Sequence, residues 1–331
     1  MIRYFIRRLI GVFLLLIVIS IITFLVFFAV PASPAVLACG KTCTPQRIAE
    51  INHKLGLDKP TYVQYGDYVK GIVAGRWYPE KGSPGAIYCP APCFGYSFKN
   101  EQPVWNTMLD RAPATFSIAI GAAILWLIVG LLVGVISALK RGSLLDRAAM
   151  TIALAGVSFP VFLTGLLLLI FLGLKLQLFP PGGYVPITSN PISWAQHLIL
   201  PWITLAFLYA ALYARLTRAN MLETMTEDYI RTARAKGLPE RTVVGKHGLR
   251  SALTPIITIF GLDLGALLGG AVITEQVFGI QGIGKLTLGA IANTDLPVIV
   301  GVTLFAAFFI VFANLVVDLL YAFVDPKVRY S

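Results

Sequence analysis

Residues 9–30 form an apolar run of 22 without a single charge. Similar runs return at 112–139, 148–174, 197–214, 256–274 and 298–323. About 20 apolar residues, wound as a helix, match the hydrocarbon thickness of a bilayer. Inside hydrocarbon each segment must satisfy its own backbone N–H and C=O groups, so spans are helices or closed barrels, and runs of this length are helices. The prediction is an all-α integral membrane protein with six transmembrane helices. Only 13% of the 331 residues are charged and 57% are hydrophobic, whereas a soluble domain carries about 25% charged residues. The first run exceeds the roughly 7–15 apolar residues of a signal-peptide core. Residues 1–30 are therefore read as a retained anchor helix behind Arg3, Arg7 and Arg8.

Lys and Arg are unevenly shared among the connections. Three precede the first run, three (Lys140, Arg141, Arg147) separate the second from the third, eight lie in 215–255 and two follow the last. The short connections on the other side hold only Lys175 and Lys285. The positive-inside rule puts the basic side, and with it both termini, in the cytoplasm. The net charge of +11 is then a topology signal and not a nucleic-acid footprint. Residues 31–111 become an extracytoplasmic loop region, and 112–331 a core of five helices with a cytoplasmic loop at 215–255.

All four cysteines, Cys39, Cys43, Cys89 and Cys93, fall in 31–111. Two CxxxC pairs suit a metal site or, in an oxidising compartment, disulfides. Disulfides stapling a loop too small to hold a core are the preferred reading, with three connectivities open. No metal ligand set or nucleophile–base pair stands out.

Several features interrupt the spans. Gly130 and Gly134 make a GxxxG pair, and Gly261, Gly265 and Gly269 repeat every four residues, both suited to close helix contact. Ser158, Pro160 and Gly165 break up the third run, with Pro160 a kink candidate. Asp263 lies near the middle of the fifth, where a carboxylate needs a cavity or a partner. Asn314 and Asp318 share one face of the sixth. Ser158, Asp263, Asn314 and Asp318 are the candidates for lining a path. His197, at a membrane edge, is read as structural. Gly279 and Gly284-Lys285 have P-loop spacing, but Leu286 replaces the Ser or Thr that would hold magnesium.

The polar island 227–255 reads as two short helices broken at Gly237. Thr224 and Glu227 have capping-box spacing, Pro239 can open the second helix, and Ile230, Ala233 and Gly237 share a small face that another protein could approach closely.

Arg231-Thr232-Ala233-Arg234-Ala235-Lys236-Gly237, with Leu249, Leu253 and Pro255, resembles the EAA loop of ATP-binding-cassette (ABC) importer permeases. Its Arg-Thr opening is similar to the peptide-permease branch rather than the Glu-Ala of the general pattern. Further marks of that branch are Leu55-Gly56-Leu57-Asp58-x-Pro60, Gln64-Tyr65, Gly95-x-Ser97 and Glu275-x-Val277-Phe278 followed by Gly282-x-Gly284. The tail Asn314-x3-Asp318-x2-Tyr321-x3-Asp325-Pro326-Lys327 adds another, with Lys327 where Arg is usual. The cysteine pairs are not part of the pattern.

The resemblance implies a type I ABC importer permease fold in a bacterial inner membrane. The chain would be the B-type subunit of an oligopeptide or dipeptide importer. It would pair with a homologous C-type permease, two ATPase subunits and an extracellular peptide-binding protein. ATP and Mg would sit on the ATPases, with no cofactor and no enzyme activity on this chain. Ile230, Arg231, Ala233, Arg234, Gly237, Leu238 and Arg241 would form the helix that couples to an ATPase. Glu275, Phe278, Gly282 and Gly284 would lie at the outer mouth near the binding protein. Nickel or glutathione is the alternative cargo, and an ion-gradient transporter the more distant rival.

Overall fold

The computed structural model describes residues 2–29, 35–36, 44–55, 57–78, 82, 86–97 and 99–324. Cys39, Cys43 and the Asp325-Pro326-Lys327 tail lie outside the described residues. In chain order the helices are α1 (Ile2–Phe24), α2 (Pro45–Leu55), α3 (Thr61–Ala74), α4 (Val104–Leu139), α5 (Leu144–Ser158), α6 (Val161–Leu168), α7 (Pro191–Thr224), α8 (Asp228–Ala235), α9 (Glu240–Thr242), α10 (Leu249–Leu268), α11 (Val272–Val277), α12 (Ile283–Ala292) and α13 (Leu296–Val324). Wider π turns at Leu25–Ala29, Leu169–Lys175 and Val243–Gly248 extend α1 and α6 and lead into α10.

Among the described residues, five helices are long and apolar enough to cross a membrane, and a sixth span results if α5 and α6 with its extension count as one. That pair is not the kinked helix expected from Pro160. It bends by 102°. Pro160 lacks an N–H and forces the preceding residue out of the helical region. Phe159 accordingly stands at φ −85 ψ 128, and Pro160 becomes the N-cap of α6.

The all-α expectation needs a second correction. The polar region carries two small antiparallel hairpins: β1 (Arg76–Tyr78) with β2 (Ile87–Cys89), and β3 (Tyr96–Ser97) with β4 (Gln102–Pro103). Trp77 lies opposite Tyr88 in the first. A disulfide joins Cys89 to Cys93, so the staple is local to one CxxxC pair. Tyr78, Tyr96 and the two cysteines form a buried cluster. Burial pushes the Tyr78 phenol above its ordinary range, and the Arg76 guanidinium, 4.6 Å from the ring centre, pulls it partly back. A maleimide should leave Cys89 and Cys93 unlabelled until reductant is added, as read by mass spectrometry. Labelling beforehand would contradict the bond.

The resemblance marks in this region have physical work. The Gln64 amide donates to the Lys59 carbonyl at 2.7 Å and to that of Leu57 at 3.3 Å, closing the 57–60 turn. The Ser97 hydroxyl donates to the Asp295 carboxylate, and a Cβ on Gly95 would stand 3.0 Å from Pro297. The loop region is thereby seated on the start of α13.

The main core lies where α4 packs along α7, with Trp126, Ile118, Leu198, Leu200 and Tyr213 among its buried side chains. The GxxxG pair makes this contact possible. A Cβ on Gly130 would stand 2.6 Å from Tyr213 Cβ, and one on Gly134 would stand 2.5 Å from Thr217 Cβ and 2.7 Å from the Ala214 carbonyl. The Gly261, Gly265 and Gly269 stripe of α10 likewise faces Val317, Ala313 and Ala306 of α13. Asn190 caps α7, its side chain accepting from the N–H groups of Ile192 and Ser193, with Pro191 at the first helical position. His197 Nδ1 stays on its own helix, 2.8 Å from the Ser193 carbonyl, as a structural residue would.

Candidate functional site

The loop after α7 folds as predicted at its end and differently at its start. Thr224 is the last residue of α7, and Glu227 precedes α8 without a side-chain capping bond, so the capping box is absent. Asp228 instead pairs with Arg231 one turn on, at 3.3 Å. The helix closes in a Schellman motif. Gly237 N–H donates to the Arg234 carbonyl at 2.9 Å, and Leu238 N–H to that of Ala233 at 3.4 Å. Gly237 has φ +73, the left-handed conformation that a Cβ penalises. Pro239 is the N-cap of α9, as expected.

The small face does not point outward. Ile230 is 0% exposed and Ala233 7%, packed against Val243 and Met225 of the same chain. The exposed face carries Tyr229, Arg231, Thr232, Arg234, Leu238 and Arg241, with Gly237 at its edge. Arg234 holds Glu240 in a bridge at 2.7 Å, and that hydrogen bond raises the Arg234 guanidinium above its ordinary range. Both partners are well exposed, so the bridge shapes the surface more than it stabilises the fold. The loop thus presents a cationic, partly apolar ridge whose underside is locked to its own chain. Its second half is no separate loop: Leu249, Leu253 and Pro255 already belong to α10.

The path candidates fall apart into separate settings. Asp263 is half-buried and accepts a hydrogen bond from Tyr213 Oη at 2.8 Å, across from α10 to α7. Ser158 is exposed and donates to the carbonyl of Leu154 one turn back. Asp318 pairs with Arg8 at 2.7 Å, so it ties α1 to α13 where a path residue was expected. Asn314 is half-buried one turn before it on α13.

Glu275, Phe278, Gly282 and Gly284, the residues expected at the outer mouth, form a tight hairpin buried within this chain. Glu275 is 0% exposed. Its carboxylate accepts from Thr115 Oγ1 at 2.7 Å, Lys285 N at 2.8 Å and Ala271 N at 3.2 Å. Thr115 Oγ1 in turn accepts from Ile283 N at 2.8 Å. A Cβ on Gly282 would collide with Glu275 and Thr115, and one on Gly284 would stand 2.6 Å from Val272 Cα. Phe278, 2% exposed, turns its carbonyl to Gly183 N at 3.0 Å. The P-loop-like spacing therefore follows a helix, α11, and its Lys285 N–H is engaged by a carboxylate.

One residue went unnoticed in the sequence. Asp146, buried at the start of α5, accepts from Arg218 Nε at 2.7 Å and Nη2 at 2.9 Å, from Gly142 N at 2.9 Å and from Ser137 Oγ. It ties the ends of α4, α5 and α7 together just before the α8 loop. Its signals in the sequence are a carboxylate in a basic connection and the Ser143-x-x-Asp146 capping spacing.

Comparison with known proteins supplies the frame. Residues 1–119 match the N-terminal domain of binding-protein-dependent transport system membrane components, and 130–330 match the binding-protein-dependent transport system inner membrane component. The di/tripeptide transport system permease protein DppB of Pseudomonas aeruginosa is 38% identical over 334 residues, 95% of this chain and 94% of its own. The glutathione transport system permease protein GsiC of Escherichia coli K12 is 38% identical over 331 residues and 100% of both chains. Inward-facing MetNI, a methionine ABC transporter, has a similar fold with TM-score 0.52 at 17% identity, covering 67% of this chain and 97% of that one. The chain belongs to the family of binding-protein-dependent transport system inner membrane components and is a multi-pass membrane permease subunit.

Proposed function

We propose that this chain is the B-type permease subunit of an ATP-driven peptide importer. The observation that carries the coupling reading is the α8 ridge, a short helix fixed underneath by Ile230 and Ala233 and ended by a left-handed glycine. A partner ATPase docks on the exposed side, through Arg231, Arg234, Leu238 and Arg241. Six spans, both termini and the ridge in the cytoplasm, and the 31–111 region outside complete the arrangement. A homologous C-type subunit supplies the other half of the path, a binding protein delivers cargo, and ATP and Mg belong to the ATPases. Peptide cargo is supported by the Pseudomonas relative. Glutathione, itself a small peptide, is the second reading, favoured by the end-to-end match with the E. coli protein.

Gly237→Val tests coupling. No atom lies within 4 Å of a Cβ there, so the change strains only the turn, by about 1–2 kcal/mol. The variant should reach the membrane in normal amount, lose co-purifying ATPase and take up peptide about tenfold more slowly. Arg231→Ala and Arg234→Ala, at a solvated rim, should each do less. Normal uptake by Gly237→Val would remove the coupling reading.

A further inference from the structure

We propose that Asp263 and the rings around it form a subsite for a primary ammonium group, which in the peptide-importer reading is the N-terminus of the cargo. The inference deepens that reading and rests on it. Gly261 and Gly265 turn to α13, and at about 100° per residue Asp263 points to the other side of α10. There Tyr213 Oη holds Oδ2 at 2.8 Å, while Oδ1 receives no hydrogen bond among the described residues. No Lys or Arg among those residues pairs with it. Trp126 and Tyr213 are fully buried. Tyr209 stacks on Trp126 at 4.6 Å between ring centres, and Phe260 meets it edge-on at 6.0 Å. Tyr209, Phe260 and Asp263 are half-buried and form the open side.

A carboxylate at this depth is costly without a counter-charge. A phenol that orients one oxygen, a second oxygen left free and flanking π faces together suit an alkylammonium, through a charge-assisted hydrogen bond and cation–π attraction. A carboxylate-bearing group is repelled there, and a neutral donor gains a hydrogen bond without the charge that strengthens it. A purely structural Tyr213–Asp263 bond would use the hydrogen bond but not the charge.

The test uses the importer purified with its companion subunits. Dicyclohexylcarbodiimide, which attacks carboxyl groups in apolar surroundings, should modify Asp263, read by mass spectrometry. n-Butylammonium should slow that modification about tenfold relative to butyramide. Asp263→Asn keeps an acceptor for Tyr213 and removes the charge. It should lower uptake of a free-amine dipeptide about tenfold, whereas Asp263→Glu should stay near the unmodified rate. Absent modification, equal protection by the two probes, or unimpaired uptake by Asp263→Asn would each overturn the subsite. If Asp263→Asn fails to accumulate, protection in the unmodified importer decides alone. Co-purifying ATPases with peptide uptake but no protection would sink only the subsite. Absence of ATPases from the purified complex would sink the importer reading itself.

Discussion

Glu275→Ala is expected to cost the subunit its hairpin between α11 and α12, and with it most of the folded protein. The substitution strands three donors at once, Thr115 Oγ1 and Ala271 N in buried positions and Lys285 N in a half-buried one. Each buried donor left without a partner costs about 1–3 kcal/mol, and total stabilities are only about 5–15 kcal/mol. Glu275→Gln should fall between: its single oxygen can still serve Thr115 and Ala271, but its amide would face the Lys285 N–H donor to donor. Lys285→Ala is the control. It removes a side chain yet leaves the backbone N–H that the carboxylate uses, so it should retain yield. Yield in the membrane and thermal unfolding in detergent would rank the three variants. Equal stability of Glu275→Ala and Lys285→Ala would mean that the network does not hold the hairpin.

Gly134→Leu is expected to part α4 from α7. The added Cβ would overlap Thr217, and the Ala214 carbonyl at 2.7 Å is backbone and cannot rotate aside. Overpacking a well-filled core costs about 1–3 kcal/mol, and a backbone obstacle places this case at the top of that range. The same axis separation would pull Tyr213 away from Trp126. Gly289→Leu, on α12 with nothing within 4 Å of its Cβ, is the matched control. Detergent-solubilised Gly134→Leu should aggregate on size-exclusion chromatography while Gly289→Leu elutes as the unmodified protein does. Identical elution would show that α4 and α7 tolerate a wider spacing than their glycines indicate.

The spans were legible because hydrocarbon imposes one requirement on every residue in them. Their extents were not. Hydropathy marks what touches lipid, whereas α7 continues from Pro191 to Thr224 through polar residues that remain helical. The glycine repeats were legible as contact faces, since lack of a side chain has the same meaning wherever the partner helix comes from. Pro160 was legible as a disturbance, but a break of 102° also depends on how α6 packs afterwards. The α8 helix shows a different limit. Periodicity identified Ile230 and Ala233 as one face, but it cannot tell whether the cover is another protein or Val243 of the same chain. The Glu275 network was out of reach because its Thr115 partner is 160 positions away. The Asp146–Arg218 pair hid for the same reason, as two charges in connections that each looked merely basic.

Helix α7 has a mechanical consequence. Its 34 residues make a rod about 50 Å long, against a hydrocarbon slab about 30 Å thick. A stretch of it therefore stands outside the lipid, and Arg218 lies near the end that meets the α8 loop. A force applied to that overhang acts as torque on the stretch of the rod after Pro201, the proline inside the helix. Tyr213 and Tyr209 ride on the same rod closer to its middle, so a push at the loop swings the phenols that surround Asp263. The Asp146 clasp moves with the overhang and obliges α4 and α5 to turn with it, which makes the lever a three-helix beam rather than a single strut.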